Sequence, residues 1–186
     1  EPAAFEDLVL GPNSEAFTEH VGPLVLEFAP MHGRDEPTPD AFAAMLDRFF
    51  AAVPERFPDA VELRNRELLA PPYLDVLRAH GVAHVLNLWE RMPDLGEQLA
   101  IDGVLTAPFV VARLLIKPGR RYADEKVRFA PFDRLVAVDE KMRADVVALV
   151  RACEAQKKDV WVIVNNKVEG CSPLTIRALA ERLGVP

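Results

Sequence analysis

The sequence predicts an α/β protein of parallel strands, most specifically the last five βα units of a TIM-type (β/α)8 barrel. Three observations lead there. Five short runs rich in Val and Leu alternate with helical patterns, the helices start at prolines and stop at glycines, and each strand carries a charged or amide side chain near its C-terminal end. Strand and helix in alternation imply parallel strands joined by right-handed crossovers, hence a doubly wound sheet or a closed barrel.

The strands are expected at residues 23–29, 60–65, 82–88, 108–115 and 160–166, each an apolar run too short for a buried helix. The helical patterns lie at 38–53, 71–80, 93–100, 139–156 and 173–183. Thr38 and Ser172 each precede a proline, which suits a cap followed by a first helical position that needs no N–H. Gly81 and Gly184 follow two helix ends, where a left-handed cap is favoured. The longest connection, 116–138, is about twice the usual upper length of a loop, and loops of that size are often functional.

Strand side chains alternate between faces. Leu24, Leu26 and Phe28 form an apolar row that leaves Glu27 opposite; Val61 and Leu63 leave Glu62 and Arg64; Leu86 and Leu88 leave Asn87. Val110, Ala112 and Leu114 leave Arg113, and the last strand ends in Asn165 and Asn166. In an open sheet covered on both faces, Glu27, Glu62, Arg64 and Arg113 would be buried against helices at a cost of several kcal/mol each unless paired. In a barrel the same residues line the C-terminal mouth, where TIM-barrel active sites lie. Five units do not close an eight-stranded barrel; about three are missing, and either an N-terminal truncation or an unusual rearrangement is expected. The first residue, Glu1, is not Met, which agrees.

Composition fits one globular domain over residues 1–186, with 50% hydrophobic residues and a formal charge of −7. That charge repels nucleic-acid backbones and disfavours, without excluding, a nucleic-acid partner. No apolar run approaches the roughly 18 residues that cross a bilayer, and residues 1–6 lack a signal peptide's basic and apolar regions, so no membrane is expected and the cytoplasm is the expected compartment. Two cysteines, Cys153 and Cys171, build neither a disulfide framework nor a four-cysteine zinc site. His20, His32, His80 and His84 show no metal-ligand spacing, and neither metal nor cofactor is expected within this chain.

Two readings stand for the polar groups. Arg64 and Arg113 at the mouth suit bidentate capture of phosphate or carboxylate, with Glu27 and Glu62 as candidate proton carriers. Alternatively, Glu62–Arg64 and Glu27–Arg113 ion pairs simply hold the barrel. Asn87, Asn165 and Asn166 are candidate substrate contacts, and Ser172 is either a plain helix cap or a ligand at a helix N-terminus. The long connection is a basic island, with Lys117, Arg120, Arg121, Lys126 and Arg128 against Asp124 and Glu125. It reads as a solvated run or as an anion-gathering lid with Tyr122 as its contact.

Four segments carry a family resemblance: Gly22-Pro23-Leu24-Val25-Leu26-Glu27-Phe28-Ala29-Pro30, Val61-Glu62-Leu63-Arg64-Asn65, Ala107-Pro108-Phe109-Val110-Val111-Ala112-Arg113-Leu114, and Val164-Asn165-Asn166-Lys167-Val168-Glu169-Gly170-Cys171-Ser172-Pro173-Leu174-Thr175. In order and spacing they resemble the YecE-like family, domain-of-unknown-function family 72, over nearly the whole chain. The sequence departs from that pattern at Asn65 and Leu68, where the family usually has His and an aromatic residue, at Glu27, where Gln is more common, and at Asn87, where Asp is frequent. The resemblance implies a TIM-like barrel and no particular reaction. From the polar groups at the strand ends an enzyme acting on a small anionic substrate is expected, with a noncatalytic phosphate- or nucleic-acid-binding barrel as the alternative and a purely structural fragment as the third reading.

Overall fold

The computed structural model describes residues 2–11, 20–33, 36–53 and 57–185. Helix α1 (Pro2–Phe5) runs into a π-helical turn at Glu6–Leu10, and then β1 (Leu24–Glu27), α2 (Pro39–Ala52), β2 (Asp59–Glu62), α3 (Pro71–Ala79) and β3 (Ala83–Leu88) follow. After them come α4 (Leu95–Leu99), β4 (Phe109–Leu114), α5 (Tyr122–Phe129), α6 (Glu140–Ala155), β5 (Asp159–Val164) and α7 (Ser172–Leu183). All strands pair in parallel in the order β1-β2-β3-β4-β5.

Among the described residues β1 pairs only with β2, and β5 only with β4. Among the described residues the sheet does not close, as expected of five strands: closure needs strand tilt and stagger accumulated over about eight strands. The expected loop at 116–138 contains α5, which the polar composition of its eight residues concealed. Asp124 and Glu125 in its first turn and Lys126 and Arg128 in its last match the helix dipole. Ser172 is not a cap. It is the first residue of α7, with Cys171 in the extended N-cap position, and its backbone N–H donates to Asn166 Oδ1 at 2.7 Å.

The chain forms two compact units. The first holds α1, β1, α2, β2, α3, the start of β3 and residues 105–108. Pro39 opens α2 behind Thr38, whose hydroxyl accepts from Ala41 N at 3.2 Å, and the helix buries Phe42, Leu46 and Phe50. Tyr73, Leu74 and Leu77 of α3 are buried in the same unit, and the Tyr73 hydroxyl lies 3.0 Å from His84 Nδ1 and donates to Val61 O at 3.3 Å. Thr106 seals the start of β3: its hydroxyl donates to Val82 O at 2.6 Å and accepts from His84 N at 2.9 Å. Polar groups this deeply buried are tolerated because each is hydrogen-bonded.

The second unit holds the rest of β3, α4, β4, α5, α6, β5 and α7. Gln98 of α4 is fully buried and clamps the end of β3, accepting from Asn87 N at 3.2 Å and donating to Asn87 O at 2.6 Å and Pro93 O at 2.7 Å. Glu169, also fully buried, accepts from Asp139 N, from Arg143 Nε and Nη2, and from the Thr175 hydroxyl. It thereby ties the start of α6 to the start of α7. No helix of the described residues is long and apolar enough to cross a membrane.

Candidate functional site

In the first unit, β1 and β2 pair in register with Glu27 opposite Glu62, so both carboxylates leave the strands at the same level. The chain after β2 places Arg64 against them, with Nη2 3.0 Å from Glu27 Oε1 and 2.8 Å from Glu62 Oε1. Glu62 is fully buried, Arg64 nearly so, and the Glu27 side chain is 46% exposed. Arg64 therefore serves the two carboxylates, and Glu27 is the member that meets solvent. Burial and then the Glu62 charge push the Tyr73 phenol well above its usual range, so that hydroxyl stays protonated.

Beside this cluster Asn65 closes the loop after β1. Its Oδ1 accepts from Met31 N at 2.8 Å, while its Nδ2 donates to Met31 O at 2.8 Å and to Glu36 Oε1 at 3.1 Å. An amide supplies the donor and acceptor such a double contact needs.

In the second unit, the carboxyl ends of β3, β4 and β5 deliver another group. Tyr122 N donates to Glu90 Oε1 at 2.7 Å and Gly119 N to Glu90 O at 2.8 Å, which fastens the segment after β4 to the segment after β3. Asn165 N donates to Leu114 O at 2.8 Å, joining the end of β5 to the end of β4. The Asn165 Oδ1 then accepts from Lys167 N at 3.0 Å and from Lys167 Nζ at 3.2 Å, turning the chain and aiming the ammonium. Lys167 Nζ sits 4.3 Å from the centroid of the Tyr122 ring and 6.0 Å from that of Phe132. The Trp89 ring lies 6.3 Å from Tyr122. A hydrogen bond from Lys167, reinforced by its charge and by that of Lys126, holds the exposed Tyr122 phenol below its usual range.

Of the remaining predicted residues, Arg113 is half-buried at the end of β4 in register with Ile163 of β5. Asn87 is fully buried, and Asn166 caps the turn into α7 through its bond to Ser172 N. The basic island is only partly unengaged: Lys117 binds Asp139 at 2.6 Å and Arg128 binds Glu125 at 3.3 Å, whereas Arg120, Arg121 and Lys126 are exposed. Lys167, Trp89, Glu90 and Phe132 were not singled out in the sequence. The signal for Lys167 was its place directly after Asn165-Asn166, and for Trp89 its place directly after β3. Among the described residues no three His, Cys, Asp or Glu side chains group as a metal site.

Fold and site together define a parallel α/β protein whose polar side chains gather at the carboxyl ends of its strands. The chain belongs to the family described as Protein of unknown function DUF72, whose sequence profile matches residues 5–186. It is similar to a DUF72 family protein of Enterococcus faecalis V583, with a TM-score of 0.63 at 18% identity over 88% of this chain and 59% of that one. It is also similar to a DUF72 family protein of Thermotoga maritima MSB8, with a TM-score of 0.61 at 16% identity over 98% of this chain and 62% of that one. The likeness is one of fold, and the chain spans about three fifths of the length of these solved relatives. No curated protein matches it.

Proposed function

We propose that the protein is an enzyme that binds a small phosphate- or carboxylate-bearing substrate at the C-terminal ends of its parallel strands, within a TIM-type barrel to which this chain contributes five βα units, in the cytoplasm. The observation that carries the reading is the convergence, after β3, β4 and β5, of Tyr122, Asn165 and Lys167 on one place, with Lys126 close enough to act on the Tyr122 phenol. The carboxyl ends of parallel strands are where such folds bind ligands. Arg113, at the end of β4, adds a planar cation suited to a bidentate anion. Within the first unit, taken by itself, Glu27 is the carboxylate open to solvent and the one suited to carry a proton, with Glu62 setting the position of Arg64.

The test is thermal stability of the protein against a panel of phosphate- and carboxylate-bearing metabolites, repeated with Arg113→Ala. A ligand selective for the folded state at about 100 times its Kd stabilises by about 2.7 kcal/mol. A rise in Tm that Arg113→Ala abolishes supports the reading, and no rise with any anion sinks it. The noncatalytic alternative, binding of phosphate or nucleic acid without turnover, draws on the complete burial of Glu62 against Arg64, an arrangement that suits structure. It predicts that anion binding survives in Glu27→Gln and that no turnover exists to lose.

A further inference from the structure

We propose that the aromatic residues around Lys167 make the second unit's strand ends selective for a planar, ring-bearing anion: the ring rests on Trp89 and Tyr122, and the anionic group meets Lys167. This deepens the anion-binding reading above and rests on it, since a site that takes no anion takes no aromatic anion.

Each part of the geometry argues for it. Tyr122 and Trp89 come from separate connections, after β4 and after β3, yet stand 6.3 Å apart with their planes inclined by 43°. Glu90 holds the Tyr122 backbone, so the ring's position is set by the strand ends and not by a free loop. Tyr122 is 44% exposed and Trp89 half-buried, which leaves ring surface open to a ligand at little conformational cost. Lys167 is aimed by Asn165 Oδ1 and by the Tyr122 phenol, two partners that leave one of the ammonium's three donors for an anion.

Phe132, the second ring within reach of Lys167, holds φ at 67°, a left-handed conformation that a bulky residue without special constraint avoids. Strain of that kind persists where the surroundings over-determine it, and it clusters at ligand sites. The lowered phenol of Tyr122 shows that positive potential already acts on a group at this spot, as an incoming anion would feel. A purely structural lysine would gain more from a carboxylate than from two ring faces, and the carboxylate of Glu90, after β3, accepts from the Tyr122 N–H.

The chain's two tryptophans are Trp89 and Trp161, so Trp161→Phe leaves Trp89 as the single indole reporter. In that background the fluorescence of the protein is titrated with phenyl phosphate, inorganic phosphate and phenol. Saturable quenching by phenyl phosphate, about tenfold tighter than by either inorganic phosphate or phenol, is the expected result, because ring and anion each contribute. Lys167→Met should weaken phenyl phosphate by about tenfold, and Tyr122→Leu should erase its advantage over inorganic phosphate. Both side chains are partly exposed, and an unchanged Tm confirms that each variant is folded. Equal binding of phenyl phosphate and inorganic phosphate overturns the inference while leaving the anion reading intact; wild-type affinity in Lys167→Met overturns it as well. Absence of binding by any anion removes both.

Discussion

At the scale of single residues, the first unit turns on Arg64. The guanidinium pairs with a fully buried Glu62, so Arg64→Ala removes one side of a buried ion pair and should cost about 3 to 5 kcal/mol in urea unfolding. Glu62→Gln should cost less, because Arg64 keeps Glu27 at 3.0 Å. An order reversed from this would show that Arg64, not Glu62, is the costly group to bury. Asp59, at the start of β2, behaves oppositely. Burial lifts its carboxyl from 3.8 to about 6, and its Oδ1 is enclosed without a hydrogen bond among the described residues. The folded chain then holds that proton more tightly than the unfolded chain, so stability falls as pH rises between 3.8 and about 6 and the penalty is complete above that window. Asp59→Asn should therefore raise stability near neutral pH and lose that advantage below about pH 4. The alternation of Val61, Glu62, Leu63 and Arg64 made this cluster visible in sequence, because side chains two apart on a strand share a face. That Arg64 would take both carboxylates was not visible, since Glu27 lies in a different strand.

At the scale of elements, the junction between β5 and α7 depends on two adjacent residues. Glu169 gathers Asp139, Arg143 and Thr175, and Gly170 stands at φ 119° with the space for a Cβ already filled by Arg134 O at 2.6 Å. Gly170→Ala must move that backbone and also strain its own, and we expect a loss of roughly 2 to 4 kcal/mol by chemical denaturation. Glu169→Ala should cost about as much as Arg64→Ala and should open amide exchange at the start of both α6 and α7. Near-normal protection there would mean that packing alone docks the two helices. The strands and the longer helices were legible because hydrophobic period, proline starts and glycine stops are local signals. Helix α5 was not: it is short and polar on most positions, and it is held by burial of Glu125 and Phe129, which only the fold supplies.

At the scale of the molecule, the strand order leaves β1 and β5 each with one strand partner among the described residues. Along β5 exposure alternates, and Trp161 and Ile163 stand out at 38% and 47%. A strand edge with free backbone groups and exposed apolar side chains favours pairing with another chain. The isolated 186-residue chain should accordingly self-associate with rising concentration, and Ile163→Lys should shift sedimentation toward the monomer. A chain that stays monomeric at every concentration, with or without the lysine, would count against that view of the β5 edge.

The order of strands and helices, their parallel direction and the polar residue at each strand's end follow from spacing and composition along the chain, because backbone propensity and facial alternation act between near neighbours. The pairing of Arg64 with Glu27 across 37 positions, of Lys167 with Tyr122 across 45, and the choice of Asn165 to aim that lysine depend on which strand ends are brought side by side.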